Sequence, residues 1–186
     1  MNTLGPFWFN NQTEEIKCVK SIDLQFVCEN VYTKRFGHVA FAIQDKLFVA
    51  GGYQPEQPKN ITMICCDRKN LENQQWIKTL PSEMKFQFSA SSVIGNKCYI
   101  FGGRKSPAQP SGDLFSFDYD GSILKINDSA KPRWGHTMNS TENKLFIIGG
   151  RDLNNVFDTI EEYDLKQDLW NSVSHLQSGI YRNELA

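Results

Sequence analysis

No long hydrophobic run occurs in this sequence. The strongest, Leu145-Phe146-Ile147-Ile148, is closed at once by Gly149-Gly150, far short of the ~18 apolar residues of a membrane-spanning helix. Met1 to Asn10 has neither the basic start nor the apolar stretch of a secretory signal, so a soluble, cytoplasmic chain with no membrane partner is expected. Cysteine is scarce and odd in number: the five residues, at 18, 28, 65, 66 and 98, include no C-x-x-C pair. That argues against a disulfide frame or a zinc site and for reduced, partly buried thiols. An excess of charge of either sign is missing too, since 20 basic residues face 21 acidic ones and leave a net charge of −1. No global field therefore draws the chain to nucleic acid or an anionic surface, and such binding would need a local patch. Nucleophile elbows, phosphate loops and H-E-x-x-H spacings are all missing. With three histidines only, at 38, 136 and 175, no metal cluster is expected and no residue is assigned to catalysis.

What is present is a globular composition, 40% hydrophobic and 12% aromatic in 186 residues, and an internal repeat. Glycine pairs stand at Gly51-Gly52, Gly102-Gly103 and Gly149-Gly150, each closing a short β-rich run: Leu47 to Ala50, Cys98 to Phe101 and Leu145 to Ile148. Thirteen residues before the first glycine stand His38, Ser89 and His136, the histidines within the matching strings Arg35-Phe36-Gly37-His38 and Arg133-Trp134-Gly135-His136. After each pair come Asp67, Asp118 and Asp164, followed by Trp76, Leu124 and Trp170 at intervals of nine, six and six residues. Each unit thus reads as four short strands separated by turn formers. In the third these are Gly135–Asn139, Lys144–Ile148, Thr159–Tyr163 and Trp170–Val173.

The double glycine after an apolar strand, repeated in register with Tyr163-Asp164 and Trp170, resembles the kelch repeat, one unit of which builds one β-propeller blade. The resemblance covers nearly the whole chain and implies an all-β kelch-type propeller, incomplete, with three full four-stranded blades and two partial ones. Residues 1–30 are expected to end a preceding blade, 31–81, 82–129 and 130–177 to form full blades, and 178–186 to begin another. A closed ring takes about 4–8 blades, so a segment of a longer protein is expected. The repeat residues Gly51, Gly52, Gly102, Gly103, Gly149 and Gly150 are assigned to close backbone approach, Trp76 and Trp170 to packing between sheets, His38 and His136 to bonds between blades, and the three aspartates to turns. Leu124, in tryptophan's place, is expected to loosen the middle blade.

Arg104 and Arg151 directly follow their glycine pairs and Lys105 extends the first, which places all three on loops leaving one face of the ring. Guanidiniums there suit phosphate or carboxylate ligands; the competing reading is an internal pair with Asp113 or Asp152. The strings Gly102-Gly103-Arg104-Lys105-Ser106-Pro107 and Lys131-Pro132-Arg133-Trp134-Gly135-His136 further resemble the C-terminal kelch region of the tRNA wybutosine-synthesising members of the leucine carboxyl methyltransferase family. That resemblance implies a parent enzyme acting on phenylalanine tRNA, with S-adenosylmethionine held by a methyltransferase domain outside this chain and no cofactor bound by the segment. The alternative is a non-catalytic kelch interaction module with a protein partner, such as a ubiquitin-ligase substrate adaptor or a scaffold.

Overall fold

The computed structural model describes residues 7–8, 17–18, 35–53, 62–69, 74–128 and 130–180, with 7–8, 17–18 and 74–77 described by backbone alone. The chain divides into one unit of residues 1–32 and another of residues 33–186. In the first, β1 (Phe7–Trp8) pairs antiparallel with β2 (Lys17–Cys18). The remainder of the expected first partial blade, and Tyr181–Asn183 of the last, lie outside the described residues.

The second unit contains three antiparallel four-stranded sheets, each a meander. β3 (Val39–Ile43), β4 (Lys46–Ala50), β5 (Thr62–Asp67) and β6 (Gln74–Thr79) form the first. β7 (Ala90–Ile94), β8 (Lys97–Phe101), β11 (Leu114–Asp118) and β12 (Ile123–Asn127) form the second, with a small hairpin of β9 (Arg104–Ser106) and β10 (Gln109–Pro110) inserted after β8. β13 (Thr137–Ser140), β14 (Lys144–Ile148), β15 (Thr159–Asp164) and β16 (Leu169–His175) form the third. The described residues include no helix, and the class is all-β, as the repeat implies. The last strand of the third sheet runs further than the sequence suggests, while β13 starts two residues later than Gly135, whose φ of 66° does not belong to a strand.

Period-two alternation explains how the middle sheet buries both faces. From the second strands, Phe48 and Ala50 point into one core together with Cys98 and Ile100, while Phe101 of the same middle strand points into another with Leu145 and Ile147. The middle sheet is thus shared by two cores, one on each face. Aromatic rings dominate the first core: Phe41 stacks on Phe48 at 5.2 Å, and Phe86 meets Phe115 and Phe117 edge-on. Each such buried ring contributes roughly 1.5–3 kcal/mol through area alone. Cys65, Cys66 and Cys98 are buried within these layers, and burial pushes the Cys65 thiol above its ordinary value and Cys98 well above it. Thiolate chemistry is thereby suppressed at both.

Two sequence expectations need correction. Leu124 is 62% exposed, so it does not hold the tryptophan's place. Tyr163 pairs with Trp170 as Phe117 pairs with Ile123, and it is Ile123 that packs on the core. The turn in the middle blade is one residue shorter, and a one-residue slip moves a side chain to the other face. Trp170 does pack between sheets, 5.1 Å from Phe101, and donates its indole N–H to Asn127 Oδ1 at 3.0 Å. The side chain of Trp76 lies outside the description; its backbone pairs with Cys65.

The aspartates also divide. Asp67 and Asp164 cap their turns by accepting from Lys69 N and Lys166 N, each at 2.8 Å. Asp118 instead pairs with Lys97 at 3.1 Å, and Asp120 caps the middle turn through Ser122 N.

Candidate functional site

Where the second strand of each blade ends, the glycine pair turns the chain and the next residue forms a single bridge to the start of that blade. Tyr53 bridges to Phe36, Arg104 to Gln87 and Arg151 to Trp134. This register follows from sterics: a Cβ on Gly52 would stand 2.9 Å from His38 Cβ, and one on Gly150 2.8 Å from His136 Cβ. The histidines are therefore the floor on which the turns rest. His136 is 1% exposed and lies edge-on to Phe101 at 5.1 Å, and Ser89, in the same place, donates to Gly102 O at 2.9 Å.

The three bridges lie along one end of the stacked sheets and are linked to one another. Phe36 contacts Tyr53 at 5.0 Å and Phe88 at 5.9 Å between ring centroids. Phe88 N donates to Gly37 O, and Phe88 O accepts from Gly135 N, joining the three blades through the backbone. Beyond it, the guanidiniums of Arg104 and Arg151 both lie over the Trp134 ring, at 4.6 and 5.6 Å. Phe157 carries Lys131 at 4.3 Å and Arg133 at 4.6 Å. The result is an apolar patch, with Phe36 53% and Tyr53 44% exposed, running into a cation–aromatic cluster.

The structure brings Arg104 and Arg151 together on one indole but turns Lys105 elsewhere. Lys105 Nζ lies 2.6 Å from Asp113, which also holds Lys125 at 3.0 Å and accepts from Ser111 Oγ at 2.9 Å. Arg104 donates to Pro107 O within the inserted hairpin, and Arg151 Nε to Asp152 O at 3.2 Å. Burial pushes the Asp113 carboxyl up, yet hydrogen bonds from Lys105, Lys125 and Ser111 outweigh it and hold the group below the ordinary aspartate range. The stabilisation is complete above the unfolded-state value and is lost as pH falls through the depressed folded value. Asp113→Asn is accordingly expected to lower the melting temperature at neutral pH, with the gap to wild type closing in acid, as pH falls below the ordinary aspartate range. Thermal melts across pH check this, and a gap undiminished by acid would contradict it.

Sequence reasoning missed Phe36, Tyr53 and Phe88 as surface-forming residues, and the buried Trp134 that lies beneath the two guanidiniums. The signal was available: Tyr53 follows its glycine pair just as Arg104 and Arg151 follow theirs, and Phe36 and Trp134 share one position of the repeated string. A hollow of about 460 Å³ opens among the first strands of the three blades, lined by His38, Ala40, Ser89, Ser91 and Thr137 among others. Among the described residues, no group of three or more His, Cys, Asp or Glu side chains is placed to hold a metal, and no helix is long and apolar enough to cross a membrane.

The family model of the KLHDC2/KLHL20/DRC7 Kelch-repeats domain matches residues 10–181. The chain belongs to this kelch family. Its three sheets are kelch blades, and the fold is an incomplete kelch β-propeller. Human Rab9 effector protein with kelch motifs is 30% identical over 129 residues, covering 62% of this chain and 34% of that protein. Mouse Kelch-like protein 35 is 28% identical over 62% of this chain and 22% of its own length. Rho GTPase-activating protein gacHH of Dictyostelium discoideum is 30% identical over 78% of this chain and 10% of its own length. The kelch chain thus spans between a tenth and a third of these relatives.

Proposed function

We propose that this kelch segment is a protein-interaction module whose contact surface is the loop end bearing Phe36, Tyr53, Phe88, Arg104, Trp134 and Arg151. The observation that carries the reading is composition at that place: exposed aromatic rings beside guanidiniums over a tryptophan, the side chains that dominate the energetics of protein interfaces. Kinship points the same way, because one relative is named an effector of Rab9 and another a GTPase-activating protein for Rho, both descriptions of action on another protein.

The tRNA-modifying reading draws less support. None of the three relatives above bears a tRNA-modification name. Lys105, one of the three cations assigned to phosphate, is taken up by Asp113. A phosphate-binding groove of two arginines on a chain of net charge −1 also offers little of the counterion release that drives RNA binding.

The test is a photo-cross-linking amino acid placed at Phe36 or Tyr53 of the full-length protein in cells, with Leu124 on the exposed outer strand as control. Protein adducts at positions 36 and 53 and not at 124 are expected. Adducts destroyed by ribonuclease would restore the tRNA reading, and adducts from 124 alone would move the surface.

A further inference from the structure

The hairpin inserted after β8 carries chemistry that the packing of its blade does not use. β9 and β10 pair with each other alone, Ser106 opposite Gln109 and Arg104 opposite Pro110. The base of the hairpin is tied to the blade, since Arg104 N donates to Gln87 O and Ser111 N to Gly103 O, each at 2.8 Å. Its tip is not. Among the described residues, Ser106 to Gln109 bond only within the hairpin, and Pro107, Ala108 and Gln109 are exposed. Such a tip opens without disturbing the packed sheets, because local opening gives up few contacts there.

Ser106-Pro107 is the one Ser-Pro or Thr-Pro dipeptide in the sequence, and it stands at the start of this turn. Proline restricts the serine before it to extended backbone and has no N–H of its own to satisfy. A kinase cleft receives its serine on extended chain, so this tip already holds the conformation to be bound. Side chains alternate along β9. Lys105 turns to one side, where Asp113 holds it at 2.6 Å, and Arg104 and Ser106 share the other. There Arg104 reaches past Ser106 to donate to Pro107 O, with its guanidinium 4.6 Å above the Trp134 ring. Arg104 Nε, shut off from solvent, donates to nothing. A buried N–H without an acceptor is unfavourable, and an anion on the same side of the hairpin relieves it.

We infer that Ser106 is a phosphorylation site for a proline-directed serine/threonine kinase, and that Arg104 captures the phosphate. In the transfer, Ser106 Oγ bonds to the γ-phosphorus of ATP, the bond from that phosphorus to the β,γ-bridging oxygen breaks and ADP leaves. The hydroxyl proton passes to the catalytic aspartate of the kinase. The product sets a phosphate of nearly two negative charges beside a guanidinium with donors unused. The tip is thereby fastened to its own base, and a cationic corner of the chain becomes anionic. The inference stands apart from the protein-interaction reading, because it needs no partner on the loop end.

The experiment incubates the full-length protein with ATP and a kinase of the mitogen-activated class and maps phosphate by mass spectrometry. Ser106 is expected to be phosphorylated in most molecules. Pro107→Ala keeps the carbonyl that Arg104 holds and should slow the step at least about tenfold, as loss of a shaped contact does in substrate discrimination. No phosphate at Ser106, or equal rates with Pro107→Ala, would overturn the site. Capture is read by phosphorus NMR, with the resonance assigned by its absence in Ser106→Ala. A neighbouring guanidinium favours the dianion, so the Ser106 phosphate should titrate at least about half a pH unit below that of a phosphopeptide of residues 102–110. Arg104→Gln should remove the difference; if that variant fails to fold, the phosphorylated wild type in urea takes its place. A phosphate that titrates in the folded protein as it does in the peptide would overturn capture by Arg104. Cross-links from positions 36 and 53 test the contact surface separately, so failure here leaves that reading standing.

Discussion

Replacing Arg133 by methionine is expected to destabilise the protein by about 3–5 kcal/mol, a large part of the ~5–15 kcal/mol that holds an ordinary domain together. Arg133 is fully buried, and its guanidinium donates to Gly149 O at 3.1 Å and Thr159 Oγ1 at 3.2 Å and pairs with Glu161 at 2.6 Å. It ties the entrance of the third blade to that blade's glycine turn and third strand. Methionine fills much of the volume but leaves the Glu161 carboxylate and the Gly149 carbonyl without the guanidinium that serves both. A second change, Glu161→Leu, should therefore recover much of the loss, since replacing both partners of a buried pair is far cheaper than removing one. Arg35 makes the corresponding bonds in the first blade, to Gly51 O and to the carbonyl and hydroxyl of Thr62, from a half-buried position where water can substitute. Its replacement should cost less. Urea melts of the two single variants and the double variant check the order, and equal losses at positions 35 and 133 would contradict it.

The second large effect concerns Gly150. Its φ is 87°, and a Cβ would lie 2.8 Å from His136 Cβ and 3.0 Å from Trp134 O, so Gly150→Val adds overlap with immovable backbone to the strain of the conformation. A loss of roughly 3 kcal/mol or more is expected. Gly95 separates the two contributions, because it has φ of 58° but nothing within 4 Å of where its Cβ would stand. Gly95→Ala should cost only the conformational part, about 1 kcal/mol. Gly150→Ala should cost clearly more, and the excess measures the crowding that the repeat imposes. Matching losses at the two glycines would refute that steric account.

These two sites show why the blades are legible in the amino-acid sequence. A residue that must be glycine because the histidine of its own blade presses on it recurs at a fixed distance from that histidine, and the spacing is visible to the eye. The glycine pairs, their apolar strands and Trp170 follow from that rule. Packing that depends on the parity of a turn is not legible: counting six residues from Asp118 points to Leu124, whereas the sheet register gives the inward place to Ile123. Departures from the repeat are also opaque. Phe88 breaks the Arg-x-Gly-His pattern and so reads as noise, although its positive φ shows it meeting the same backbone requirement as Gly37 and Gly135. At the candidate site, position relative to the glycines locates Arg104 and Arg151 on one end, and the competing reading of an internal pair with Asp113 holds for Lys105, but spacing alone does not say which of the three cations makes that pair.

The loop end as the surface that meets a partner is tested most directly by hydrogen–deuterium exchange of the full-length protein, alone and with a partner identified by the cross-links. Slowed exchange should be confined to segments 35–38, 51–53, 87–89, 103–106, 134–136 and 150–152, while the outer turns after Asp67, Asp118 and Asp164 exchange as before. Protection of those outer turns, with the segments around Phe36, Arg104 and Trp134 unchanged, would contradict the assignment of the surface.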